Sequence, residues 1–453
     1  MLTAEDNEIL TRVGPGTLLG NLLRRYWTPA LLSTELPTPD DPPVRVRLLG
    51  ENLVAFRDTN GRVGLVAENC PHRGASVYFG RNEECGLRCV YHGWKFDVDG
   101  NCVDMPNEPA ESNFKSKVKI TAYPTHESGG MVWTYMGPKE TMTPFRDFGT
   151  ETLAPEHIHP TKQPIYCNFV QSLDGDLDSA HISHLHQWFG IADIPDDGTD
   201  KPGFPSNFMS TKIWRHDRAP RIEVRDEWYG YRYAAHRRTP NGYDLVRISA
   251  YAMPYTAMIA SVPFRSNCLT IVPADDVSTW RYTYLTKPPT DPELWTGGTG
   301  FQQAETYPYE EKHRRSGGMA PHHRPGRNAG IMERVHTPAN DYLIDREAQK
   351  KVSFTGIPSF RAHDLMVTES MGPIYDRTQE HLGTTDRAVI RMHELLLNAA
   401  KGLAQGKEPP ALTGDFRSIR AAEKILESEE DWGYLGTDDD PLVQKYELAV
   451  RER

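Results

Sequence analysis

The sequence predicts an α+β chain made of two unlike parts, a small all-β region followed by a larger mixed one. From about Val44, VRVRLLGENLVAFRDTNGRVGLVAEN alternates apolar and polar residues around Gly50-Glu51-Asn52 and Asn60-Gly61. That is the pattern of short antiparallel strands joined by tight turns. Longer alternating runs return over residues 222–273, now flanked by stretches with helical spacing. Between the two parts lies the turn-rich segment GPKETMTP, which starts at Gly137.

Taken in order, the chain opens on a helical lead over residues 1–25, with an amphipathic helix expected from Thr17 to Leu32 and halted near Pro29. The all-β domain then occupies 26–137 and the mixed domain 138–453. Within the latter, IEVRDEWYGYRYAAHRR, YDLVRISAYAMPY and MIASVPF read as strands. Residues 286–350 read as a loop-rich insertion with His322-His323, a lid or a subunit contact. From Thr385 the helical period returns through Val389, Met392, Leu396 and Ala399, giving a C-terminal helix over 385–404.

Composition excludes several classes. A chain of 453 residues with 25% charged and 38% hydrophobic residues is an ordinary globular protein. A net charge of −11 without a Lys/Arg stripe argues against nucleic-acid binding. The N-terminus carries no basic region followed by an apolar run, and no long apolar span occurs, so neither secretion nor a membrane is expected. Six cysteines in so long a chain are no disulfide framework. A reducing, cytoplasmic setting is the expectation.

The chemistry concentrates in two places. Asn168–Trp188, NFVQSLDGDLDSAHISHLHQW, carries three histidines and three aspartates beside an apolar stripe, and reads as a buried helix presenting ligands. His181 and His186 with a carboxylate from elsewhere would form the two-histidine, one-carboxylate face of an iron(II) oxygen site. On a straight helix, however, His181 and His184 are neighbours, whereas positions five apart diverge. The second place is the pair of loops Cys70-Pro-His72 and Cys89-Val-Tyr-His92, separated by sixteen residues. Two cysteines and two histidines could hold zinc. The one-residue spacing of the first pair, with Gly74 and Gly93 just beyond to bring amides near a sulfide, favours an iron–sulfur cluster instead. Cys85 reads as a small buried hydrophobe.

The C-x-H and C-x-x-H loops closely resemble the Rieske motif. Paired with Asp178, His181 and His186 in a larger domain, they make the chain resemble the oxygenase (alpha) subunit of Rieske non-heme iron aromatic ring-hydroxylating oxygenases, over nearly its whole length and including Asn168 and Gln171. The segment His363–Gly383, HDLMVTESMGPIYDRTQEHLG, resembles the phthalate 4,5-dioxygenase branch. The resemblance implies a Rieske [2Fe–2S] domain followed by a helix-grip (START-like) catalytic domain. It implies a cluster on Cys70, His72, Cys89 and His92, and mononuclear Fe(II) on His181, His186 and Asp364. Glu369 competes with Asp364, Asp376 reads as a partner of Arg377 or a cap, and His184 is left a structural or substrate-facing role.

Also implied are O2 as co-substrate, electrons from a flavin/iron–sulfur reductase using NADH, and a homo-oligomer, a trimer or stacked trimers. In that ring Asp178 would bridge to a cluster histidine, His72 or His92, of the neighbouring subunit, besides orienting His181. The implied reaction is hydroxylation or dihydroxylation of an aromatic carboxylate. O-demethylation of a methoxylated acid is the alternative, and a bare electron carrier the reading from another class. Alternation places Arg247 on one face with Tyr243, Ser249 and Tyr251, suited to capturing a carboxylate. Arg215 and Arg218 could add a second clamp.

Overall fold

The computed structural model describes residues 2–109, 111–149, 151, 158–190, 198–205, 207–260, 266–286, 319–321, 332–441 and 443–444. Two short helices, Ala4–Thr11 and Leu18–Leu23, each start at a threonine whose hydroxyl accepts an amide of the first turn. The helix expected through Leu32 stops at Leu23. Thr28–Leu32 is instead a fully buried strand paired with Met131–Thr134, its register shifting between Pro29 and Leu31. Pairing and burial override a leucine-rich period there, and the irregularity accommodates a proline that has no amide to offer.

The N-terminal region holds three small antiparallel sheets. One runs Val44–Leu48, Glu51–Arg57, Val63–Ala67, Ala122–Tyr123; another Arg81–Glu83, Gly86–Arg88, Lys95–Phe96, Cys102–Asp104. The third joins Thr28–Leu32 and Thr125–Ser128 through Met131–Thr134. Val54, Phe56, Val66, Val77, Leu87, Trp94 and Phe96 make a small core that includes Cys70 and Cys89.

The larger region is built on an antiparallel sheet in the order Ile158–Ile165, Ser278–Thr286, Ser266–Asp275, Thr256–Ala260, Asp244–Ala252, Gly230–Arg238, Arg221–Glu227. Asp244–Ala252 is shared. Its second half pairs with Thr256–Ala260 and its first half with the C-terminal strand Ala422–Leu426. The helix Phe169–Leu177 packs on this sheet and touches the helices Phe360–Ser370 and Arg387–Ala404. The last of these begins after a 3-10 turn at Thr384–Asp386 and buries Val389, Met392 and Leu396. Of the expected loop-rich insertion, the described residues include the strands Met319–Pro321 and Met332–Arg334, a 3-10 segment Pro338–Leu343 and most of the helix Arg346–Lys351. His322-His323 lies outside the described residues. No helix among the described residues is long and apolar enough to cross a membrane.

The opposite face of the sheet is covered by the C-terminal segment, where Trp432 and Leu435 pack on Ala234, Val246 and Ile248. His236 is buried on that side, its Nε2 3.8 Å from Glu223. Burial, aided by Arg221, pulls its pKa from 6.5 down to about 4. Between those values the unfolded chain binds a proton that the folded chain refuses, so stability is full above 6.5 and falls as the pH drops to about 4. A His236→Leu variant is expected to have a stability-versus-pH slope shallower by about 1 kcal/mol per pH unit in urea unfolding across that window. An unchanged slope would contradict the burial of a neutral imidazole.

Candidate metal centres

The two cysteine–histidine loops close on themselves. The Gly74 amide donates to the Cys70 carbonyl at 2.9 Å and the Gly93 amide to the Cys89 carbonyl at 3.0 Å. Both glycines sit at left-handed φ, +76° and +79°, which a side chain resists. The glycines' own amides are thus engaged in closing the loops.

Cys70 and Cys89 lie inside the small core, while His72 and His92 are half-buried at its outer end, their rings edge-on at 4.4 Å. Trp94 stacks on His72 at 4.4 Å, its own N–H tied to Asn107. His92 Nδ1 is buried without a hydrogen-bond partner. Burial, with Cys89 beside it, pushes the Cys70 thiol up to about 11. Paired thiols inside, paired imidazoles outside and an orphaned buried nitrogen fit a cluster with one iron on each pair. Cys85 is half-buried on a left-handed turn, its amide held by Thr59, and is outside this donor set.

The second donor set depends on where a helix stops. Asn168 caps Phe169–Leu177: its Oδ1 accepts the Val170 amide, and its Nδ2 donates to the carbonyls of Thr11 and Asp276. The helix ends at Leu177 and not at Trp188, because Asp178 leaves helical dihedrals (φ −83°, ψ 121°). A 3-10 turn, His181–Ser183, follows. This bent backbone brings together residues that a straight helix would separate. His186 Nε2 lies 3.0 Å and His181 Nε2 3.7 Å from the same oxygen of Asp364, which stands on the Phe360–Ser370 helix. One ligand atom from each of the three falls within 4.8 Å of the others.

The electrostatics suit a cation. Burial alone would raise the Asp364 carboxyl, but His186, His181 and Arg281 outweigh it and hold the pKa well below the usual range. Asp178 faces His181 Nδ1 at 3.2 Å and accepts the amides of Ala180 and His181, which orients that ring. Burial opposes the ionised form of Asp178, and these bonds more than compensate. His186 is lowered by burial, with Asp364 opposing. An anionic oxygen and two imidazoles on three sides fit mononuclear iron(II).

Competing residues are occupied elsewhere. Glu369 is buried, paired with Arg334 and bonded by the Tyr342 hydroxyl. Asp376 caps a 3-10 turn through the Thr378 amide, while Arg377 pairs with Asp174 at 2.6 Å. His184 is exposed, its ring edge-on to Phe354. Arg215 donates to the Phe189 carbonyl, and Arg218, exposed, donates to the carbonyl of Arg215. Asn168, Arg215 and Arg218, expected at the substrate, each donate to backbone carbonyls instead.

The charge of Arg247 acts against protonation of both His181 and His186. Arg247 rests over Trp214 at 5.2 Å, donates to the Ala260 carbonyl and lies 3.6 Å from Glu423. Sequence reading missed its neighbour Arg237, buried and bonded to Ser179, with a pKa pulled down to about 10 by burial and Arg247. It also missed the buried Arg281–Asp176 pair at 2.8 Å, and His363.

Comparisons with known proteins place this architecture. The family description "Rieske [2Fe-2S] domain" matches residues 26–124, and "LigXa C-terminal domain like" matches 134–295 and 327–451. The chain is 39% identical to the phthalate 4,5-dioxygenase oxygenase subunit of Pseudomonas putida, over 95% of this chain and 94% of that one. It is 34% identical to the 3-chlorobenzoate-3,4-dioxygenase oxygenase subunit of Comamonas testosteroni, over 95% and 97%. Its fold matches the crystal structure of dicamba monooxygenase bound to dicamba with a TM-score of 0.55, at 15% identity over 85% of this chain and 99% of that one.

The chain belongs to the Rieske non-heme iron ring-hydroxylating oxygenases, as an oxygenase subunit. Within them it stands in the phthalate 4,5-dioxygenase-like branch. It is an enzyme with a Rieske cluster, a mononuclear iron and O2 as co-substrate, supplied by a reductase donor. The bare electron-carrier reading is overturned by the match over residues 134–295 and 327–451 and by the oxygenase subunits among the relatives.

Asp364→Ala is expected to empty the mononuclear site, lowering iron content while leaving the Rieske absorbance intact. Glu369→Gln is expected to keep that iron and instead lose about 3 kcal/mol of stability, through an unpaired buried Arg334. Iron analysis and denaturant unfolding separate the two, and the reverse pattern would move the ligand to Glu369.

Proposed function

We propose that Cys70, His72, Cys89 and His92 hold the cluster, that His181, His186 and Asp364 hold the iron, and that the enzyme hydroxylates or dihydroxylates an aromatic carboxylate. The convergence of His181 and His186 on one oxygen of Asp364 carries this reading. When bound, the iron supplies activation of O2, using electrons delivered one at a time through the cluster. The rest is the work of the chain's own groups. Asp178 keeps the His181 proton on Nδ1, so that Nε2 is free to ligate. Arg247 pairs with the substrate carboxylate and turns the ring toward the centre. The names of two relatives, phthalate and 3-chlorobenzoate dioxygenases, point to benzene carboxylates.

The electron donor is an NADH-dependent flavin/iron–sulfur reductase, and the setting is cytoplasmic. Subunits close into a trimeric ring, single or stacked, with His72 or His92 of one chain facing Asp178 of the next. Two features support that ring. Phe79, Val90 and Tyr91 stand 65%, 59% and 53% exposed on the cluster-bearing domain, Tyr91 against His92 itself. The Asp178 side chain, beside His181, retains 24% exposure.

With the reductase reconstituted, a screen of phthalates, benzoates and methoxybenzoates under labelled oxygen is expected to give a ring-hydroxylated acid. Arg247→Gln should raise KM about 30-fold or more, the loss of a charge-assisted pair, with kcat nearly unchanged. Turnover of carboxylate-free arenes alone, or a KM indifferent to Arg247, would remove the aromatic-acid assignment.

A further inference from the structure

The two histidines of the proposed iron site are held from behind in different ways. His181 Nδ1 meets a carboxylate, Asp178, at 3.2 Å, whereas His186 Nδ1 meets a second imidazole, Nδ1 of His363, at 3.1 Å. His363 has no exposed surface, and its Nε2 lies 2.8 Å from the Ile357 carbonyl oxygen and 2.9 Å from the Thr355 hydroxyl. A carbonyl oxygen only accepts, so the His363 proton belongs on Nε2 and its Nδ1 offers a lone pair. The N–H that fills the gap between the rings is then that of His186 Nδ1. His186 Nε2 is left bare, 3.0 Å from the ionised oxygen of Asp364. Two electron-rich atoms so close call for a cation between them.

We propose that His363 is a positioning residue for the iron ligand His186: it accepts the Nδ1–H of that ring and, through its own Nε2–H, ties it to the backbone at Ile357. This rests on the iron-site reading given above. Phe360 stacks on the face of His186 at 3.7 Å, so one side chain fixes the ring's plane while His363 fixes its rotation and tautomer. His363 and Asp364 are adjacent on one helix, which thereby supplies a ligand and the anchor of another ligand together. The anchor of His186 is an imidazole and that of His181 a carboxylate, so the two rings differ in donor strength.

The test uses full-length protein, freed of mononuclear iron and titrated anaerobically with ferrous iron alone, with the Rieske absorbance as the fold control. The environment of the bound iron is read by EPR of its nitric oxide adduct. His363→Leu is expected to bind iron 10- to 100-fold more weakly, with a heterogeneous adduct signal. In His363→Asn the amide oxygen can accept from His186, and affinity should recover to within about threefold of wild type with one adduct species. Wild-type affinity and spectrum in the leucine variant would overturn the proposal. So would an asparagine variant that folds yet binds no better than the leucine variant, since His363 would then only fill space. Wild-type protein that takes up no iron beyond its cluster would overturn both this inference and the site reading.

Discussion

A half-buried carboxylate that must stay ionised is the constraint from which the catalytic half of this protein follows. Asp364 keeps 23% of its side chain exposed and nearby Asp176 only 7%, so positive groups have to make up for the water that is lost. Arg281 pairs with Asp176 and, with His181 and His186, acts on Asp364. The two imidazoles are the groups that can give up a proton and accept a metal in its place. A cation at their meeting point satisfies the carboxylate, both bare nitrogens and the charge balance at once.

Holding those groups in register requires rigid elements on every side. The Phe169–Leu177 helix is fixed at its start by Asn168, which joins it to Thr11 and Asp276. Further along, Asp174 accepts from Arg377 at 2.6 Å and from His393 at 2.8 Å, tying the helix to the C-terminal helix. Gln171 reaches the carbonyls of Thr368 and Gly372, locking it to the helix that carries Asp364. With both ends of the ligand helix tied down, its abrupt stop at Asp178 can set the directions of His181 and His186.

Much of this was legible in the residue pattern, and what was not has local physical causes. Alternation and turn residues gave the strands, because pleated pairing repeats every two residues wherever it occurs. Helix ends were less readable. Thr17–Leu32 has a leucine spacing that suits a helix, yet Thr28–Leu32 gains more by pairing with Met131–Thr134. Asn168–Trp188 looks continuous because its apolar residues do recur, and nothing in their spacing shows that Asp178 turns the backbone out. The cysteine–histidine loops were plain from composition, but the amides of Gly74 and Gly93 close turns, a detail only the backbone path reveals.

Site residues divide in the same way. Arg247 could be placed by parity, since a strand's faces are fixed by position. Arg237 hides in AAHRR, where it looks like an exposed strand end, and is buried because Ser179 lies over it. Arg215 lies in the last turn of the Asn207–His216 helix and Arg218 just beyond it, where each donates to a backbone carbonyl. His363 adjoins Asp364 and carries no spacing signal, and its meaning depends on a ring 177 residues away in sequence.

The most direct measurement is anomalous X-ray diffraction at the iron edge from crystals of the aerobically purified protein. The expected result is a close pair of iron peaks between Cys70, Cys89, His72 and His92, and a single peak bounded by His181, His186 and Asp364. A single peak displaced to Glu369 or to His184, or one scatterer where the pair should be, would contradict the assignment on which everything above depends.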